Sequence, residues 1–143
     1  MAIDEQTFKR NLILSHYEEP QFKVETFEDK EHLYHVGKKD SPSCIDNITA
    51  YAKISNDIIK DVRFSGVGCV ICTASTDLMC LYINNKKTSA AKKIIANYLN
   101  MIDNKPYDKK LLEDLIVFSN INKQLNRIRC AKVGIEAIYE AIK

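Results

Sequence analysis

A chain of 143 residues, 45% hydrophobic and 28% charged, can close a core of its own, which predicts a single domain over residues 1–143. Its 21 Lys and Arg against 19 Asp and Glu leave a net charge of +2, too balanced to suggest a nucleic-acid partner. No apolar run approaches the length of a bilayer span, and the polar opening "MAIDEQTFKR" is no secretory signal, so membrane and export classes drop out and the cytoplasm is the expected compartment.

Asp4 can cap a first helix whose apolar positions Phe8, Leu12, Ile13 and Tyr17 form a one-sided stripe, with Pro20 just beyond its end. Residues 21–40 show no clean period and read as an irregular arm with some extended structure. "ITAYAKIS" then alternates Ile48, Ala50, Ala52 and Ile54 against Thr49, Tyr51 and Lys53. After the turn Ser55-Asn56-Asp57, "IIKDVRFSG" alternates again through Ile59, Val62 and Phe64, which predicts a hairpin. "GVGCV" is a candidate short third strand.

Helical spacing resumes at Ile71, Leu78, Cys80, Leu81 and Ile83. "TSAAKKIIANYLNMI" is an amphipathic helix capped by Thr88 or Ser89, burying Ala91, Ile94, Ile95, Tyr98, Leu99 and Ile102. After Pro106, "YDKKLLEDLIVFSNI" holds one or two helical turns. A last helix from about Asn126 buries Ile128, Ala131, Ile135, Ile138 and Ile142. This order predicts an α+β fold: a small three-stranded antiparallel sheet with helices on one face.

Five cysteines, an odd number in a reducing compartment, point to metal binding or thiol chemistry rather than a disulfide framework. Cys44, in "SPSCID", leads into a strand two residues before Asp46. On an extended chain the two side chains can face a common point, although a loop thiol beside a turn-forming Asp fits the same residues. Cys69 follows Gly66 and Gly68 and stands at a helix start, where unpaired N–H groups and a partial positive charge suit chemistry as well as packing. Cys130, in "NRIRCAKVG", is placed in about the first turn of the last helix. The helix end and the flanking Arg127 and Arg129 predict an unusually acidic thiol, unless Cys130 is only a small apolar residue on the stripe. Cys80 belongs to the core. Cys72 shares a helix face with Cys69, and its role is open between site and core.

Cys69 and Cys72 form a Cys-x-x-Cys. A zinc knuckle needs a second ligand pair, which is absent, and a thioredoxin-like pair belongs in a β-α-β setting, whereas a hairpin precedes this one. The better constellation is dispersed: Cys44, Asp46, Cys69 and Cys130, each from a turn or a helix start.

The same residues resemble the U-type iron–sulfur cluster assembly proteins: IscU, SufU and the N-terminal domain of NifU. "LILSHYEEP" resembles the family's first helix, "SPSCIDNITAYAKI" its first cysteine motif, "DVRFSGVGCVICTAS" its second and "NRIRCAKVGIEAI" its third. The third cysteine follows Arg129 rather than the His of the IscU branch, and the Leu-Pro-Pro-Val-Lys chaperone motif is missing. The long interval between Cys69 and Cys130, with "NKPYDKKLLEDL" as an insert, resembles the SufU branch. Ile45 stands where the family has Gly between its first Cys and Asp, which predicts a stiffer or altered loop.

The resemblance implies a SufE/NifU-like fold and a zinc-binding sulfur acceptor that works with a cysteine desulfurase and hands sulfur to downstream iron–sulfur assembly proteins. This is a sulfurtransferase-like relay rather than a conventional enzyme. Cys44, Asp46, Cys69 and Cys130 are the implied Zn²⁺ ligands, and Cys44, on a loop, is the implied sulfur acceptor. Arg129 would offset part of the ligand charge, with Cys72 lining the site. Two alternatives share the ligands: a scaffold for a [2Fe–2S] cluster or iron, and a module with a purely structural zinc.

Overall fold

The computed structural model describes residues 4–41 and 45–143. Helix α1 spans Glu5–Glu18, and Asp4 caps it by accepting the Thr7 N–H at 2.8 Å. Its one buried side chain is polar. His16 Nδ1 lies 2.6 Å from Asp77 Oδ2, and the other oxygen of Asp77 accepts the Phe22 N–H at 2.8 Å. One buried carboxylate therefore ties the first helix and the following arm to the molecule's centre.

The predicted hairpin forms between β2 (Asn47–Ser55) and β3 (Ile58–Val67). Asn56 and Asp57 both take positive φ, 55° and 62°, as a two-residue type I′ turn requires. The third strand is not "GVGCV". Gly66 and Val67 prolong β3, and glycine is needed at 66 both for its φ of 120° and because a side chain there would strike the Asn47 carbonyl. The third strand is instead β1 (Tyr34–Asp40), drawn from the arm and paired antiparallel with β2 from Tyr34↔Lys53 to Asp40↔Asn47. Residues 22–24 cover the outer edge of β3 through two backbone hydrogen bonds at Phe64.

The sheet, in the order β1-β2-β3, buries Ile48, Ala50, Ala52, Ile59, Val62 and Phe64 beneath the helices. The predicted α+β architecture, three antiparallel strands with helices on one face, is the one observed. Helix α2 (Val70–Ile83) packs against α1, β3 and α5, and α5 (Leu125–Ile142) lies across β1 and β2. Between them, α3 (Thr88–Ile102) buries the predicted face, with Leu99 only partly covered. The insert forms the one-turn α4 (Lys109–Leu112) and two 3-10 turns, Glu113–Phe118 and Ile121–Lys123. Lys87, not Thr88 or Ser89, precedes α3, and α5 starts one residue before Asn126 with Gln124 ahead of it; neither Lys87 nor Gln124 makes a side-chain capping bond.

Helix α5 sits directly on β1. A Cβ added at Gly37 would lie 2.1 Å from the Ala137 carbonyl oxygen and 2.6 Å from the Ala141 nitrogen, both backbone atoms that cannot swing aside. Gly37→Ala should therefore lower stability by about 3 kcal/mol, read as a lower denaturant midpoint at unchanged slope. His16→Ala leaves the Asp77 carboxylate buried without its imidazole partner and should cost a similar amount, about 3 kcal/mol by the same measurement.

Candidate metal centre

The loop after β1, the start of α2 and the second turn of α5 meet at one end of the sheet. Asp46, just before β2, is 1% exposed. Its Oδ1 accepts the Cys69 N–H at 2.9 Å, and its Oδ2 lies 3.9 Å from Cys69 Sγ. The Ser41 N–H donates to the Asp46 carbonyl at 2.9 Å and closes the loop on itself. Cys69 is the N-cap of α2, and its sulfur accepts the Cys72 N–H at 3.5 Å, using one of the orphan donors of the helix start.

Cys130 arrives from α5, and the donor atoms of Asp46, Cys69 and Cys130 all lie within 4.8 Å of one another. Thiolates on a tetrahedral zinc at about 2.3 Å stand roughly 3.8 Å apart, so small side-chain movements would bring this set onto one ion. Two thiols and a carboxylate suit zinc and iron alike.

The expected acidity of Cys130 is reversed. Burial pushes its thiol well above the ordinary range, and the adjoining Cys69 sulfur and Asp46 carboxylate push it further. Cys130 sits past the first turn of α5, where the helix end does not offset these influences. Arg129 does not stand free either: its Nη1 donates to Glu136 Oε1 at 2.8 Å, two turns along α5. Cys72 is fully buried and belongs to the core cluster while its amide serves Cys69. Cys80 is buried as expected, and burial raises its thiol well above the usual range. Cys44, the fourth expected ligand, lies outside the described residues. Ile45, which stands where the resemblance places glycine, is 76% exposed.

Cys69 is the one half-exposed member of the trio. It opens on a cavity of about 450 Å³ lined by Tyr17, Val70, Ile71, Ile121, Gln124 and Arg127. Of these, only Arg127 carries a sequence signal, through its place beside Cys130. The others come from α1, α2 and the insert, and no local pattern marks them. The His16–Asp77 pair was likewise invisible, because its partners stand far apart in the chain.

Residues 8–143 match the family model of the NifU-like N-terminal domain. The zinc-dependent sulfurtransferase SufU of Bacillus subtilis is 29% identical over 137 residues, covering 95% of this chain and 90% of that protein. The iron–sulfur cluster assembly scaffold protein IscU of Thermotoga maritima is 31% identical over 101 residues, 71% of each chain. Among solved structures, a putative iron–sulfur cluster assembly scaffold protein for the SUF system from Fervidobacterium islandicum superposes with a TM-score of 0.85 at 26% identity. That match covers 98% of this chain and all of the other.

A raised Cys130 pKa means that the metal-free fold holds this proton more tightly than the unfolded chain does. Its contribution to stability is therefore full below the ordinary thiol pKa of about 8.5 and is lost as pH rises beyond it. The Tm advantage of metal-free wild type over Cys130→Ser should shrink between pH 7.5 and 9.5 in thermal melts (about two pH units spanning that pKa). Zinc must displace the same proton, so its affinity in a chelator competition should rise with pH, by about tenfold per unit for each proton released.

Proposed function

The chain belongs to the NifU-like N-terminal domain family, and on that footing we propose that it is a zinc-binding sulfur acceptor that takes persulfide sulfur from a cysteine desulfurase and relays it. Its family-level role is iron–sulfur cluster assembly, as scaffold or sulfur relay. The observation that carries the reading is the meeting of Asp46, Cys69 and Cys130, from three distant parts of the chain, within 4.8 Å. Cys44 stands two positions before Asp46 and completes the proposed ligand set.

A bound zinc ion would hold the ligand thiols deprotonated and join the loop to the two helices. Cys44 would serve as the nucleophile toward the outer sulfur of the desulfurase persulfide. A new S–S bond forms on Cys44 as the old one breaks, and the desulfurase cysteine leaves as a thiolate. Asp46, Cys69 and Cys130 are the residues that would keep hold of the ion. Asp46 is doubly fixed for this work, through its carboxylate to the Cys69 amide and through its carbonyl to the Ser41 amide. Arg129, next to Cys130, would offset part of the ligand charge only in competition with its ion pair to Glu136. Residues 1–143 act as one unit, and thiol chemistry of this kind belongs in a reducing cytoplasm. No helix among the described residues is long and apolar enough to cross a membrane.

A second reading has support of its own. The same donor set can hold iron, and relatives such as the Thermotoga maritima protein are named as assembly scaffolds. One preparation separates the two: protein purified without added metal, analysed for metal, then incubated with a cysteine desulfurase and cysteine. The relay predicts about one zinc per chain, stimulated desulfurase turnover and a persulfide mapped to Cys44 by mass spectrometry, the last two lost in Cys44→Ala. A stable coloured cluster after anaerobic reconstitution, transferred intact to an acceptor, favours the scaffold. A persulfide on Cys72 with none on Cys44 overturns the assignment of the acceptor.

A further inference from the structure

Among the described residues, the Cys-x-x-Cys that opens α2 has only half a role in the metal centre: Cys69 joins the cluster of donor atoms formed with Asp46 and Cys130, and Cys72 is not in it. We infer that Cys69 and Cys72 form a dithiol site that a hydroperoxide closes into a reversible disulfide, withdrawing Cys69 from the metal. The second half of this statement rests on the metal reading above; the first does not.

Three observations carry it. Cys69 is the N-cap of α2 and Cys72 lies within its first turn, with the Cys72 N–H donating to Cys69 Sγ at 3.5 Å, so the Cys69 sulfur leans over the turn that carries Cys72. The Cys72 sulfur in turn packs against the glycine preceding Cys69. A Cβ added at Gly68 would lie 2.8 Å from Cys72 Sγ and 3.1 Å from Cys72 Cβ. The absent side chain at Gly68 makes room for the second sulfur beside the turn that holds the first.

Residues three apart on a helix have Cβ atoms about 5–6 Å apart, and a disulfide needs about 3.5–4.5 Å. Cys69 lies outside the helix proper, at φ −69° and ψ 179°, so the gap can close at that joint without unwinding α2. The third observation is exposure. Cys69 is half-exposed and opens on the cavity with Tyr17 and Arg127, whereas Cys72 is fully buried. A soluble oxidant reaches the first thiol, and only a neighbour within the protein reaches the second. Cys130 also stands near Cys69, but in the loaded centre it is a ligand, which leaves Cys72 as the adjacent sulfur outside the coordination set.

The steps balance. The Cys69 thiolate attacks the hydroperoxide, an S–O bond forms as the O–O bond breaks, the second oxygen leaves as an alcohol (water from hydrogen peroxide), and the sulfur is oxidised to sulfenic acid as the peroxide is reduced. Cys72 then attacks the Cys69 sulfur. The S–S bond forms, the S–O bond breaks, and the oxygen leaves as water with the Cys72 proton. A dithiol reductant reverses the bond by exchange.

The test uses the zinc-loaded full chain, treated with hydrogen peroxide, trapped with iodoacetamide and digested with trypsin. Cys69, Cys72 and Cys80 share one tryptic peptide, Phe64–Lys86. That peptide should lose two hydrogens and carry alkylation on Cys80 alone. Zinc should be released in step and rebound after dithiothreitol. In Cys72→Ala, and in Cys72→Ser should the alanine variant fold poorly, Cys69 should instead pass to sulfinic acid, and dithiothreitol should not restore zinc binding. A Cys69–Cys130 cross-linked product, or Cys72 variants that recover zinc as fully as wild type, overturns the proposal. A protein that takes up no zinc sinks the metal reading, while the same peptide still reports whether the disulfide forms.

Discussion

The hydrogen bond from the Cys69 amide to Asp46 Oδ1 organises the centre. It fastens the loop before β2 to the head of α2, and it does so with a carboxylate that is 1% exposed. A buried charge of this kind persists only where its oxygens are satisfied. One oxygen is satisfied by the backbone, and the other faces the Cys69 sulfur. Cys130 then needs only to be delivered from the opposite side, which α5 does by lying across β1 and β2.

The head of α2 is fixed from behind as well. Thr73, Ser75, Thr76 and Asp77 are all buried on a helix that packs on several sides. Each is satisfied locally or by a neighbour: Thr73 donates to the Gly68 carbonyl, Ser75 and Thr76 to the Cys72 carbonyl, and Asp77 accepts from Phe22 beside His16. Of these bonds only those of Asp77 reach other elements, and they anchor α2 to α1 and to the arm that follows it. The position of Cys69 is thus inherited from contacts up to two turns away.

Much of this could be read from the residues, and the remainder has identifiable causes. Alternation in "ITAYAKIS" and "IIKDVRFSG" specified the hairpin because β2 and β3 bury one face each. Strand β1 escaped because the residue it buries fully is Gly37, which carries no hydrophobic signal, while Val36 is 60% exposed. Asp46, Cys69 and Cys130 were legible because each lies at a junction marked by Gly, by a strand onset or by a helix start. The Cys130 thiol was misjudged because sequence shows flanking cations and a nearby helix end, whereas burial and two acidic neighbours decide its proton. Partners brought together only by tertiary packing, such as Tyr17 at the cavity or Asp77 opposite His16, leave no local trace.

Where α5 crosses β1 at Gly37, main chain rests on main chain, with no layer of side chains between. Such a joint has no rotamers with which to absorb a shift, so the helix cannot creep along the sheet by small repacking steps. Sequence drift is thereby channelled: the seat of the helix stays locked while the rim of the centre remains free to change. Ile45, beside Asp46 and exposed to solvent, lies outside that locked seat.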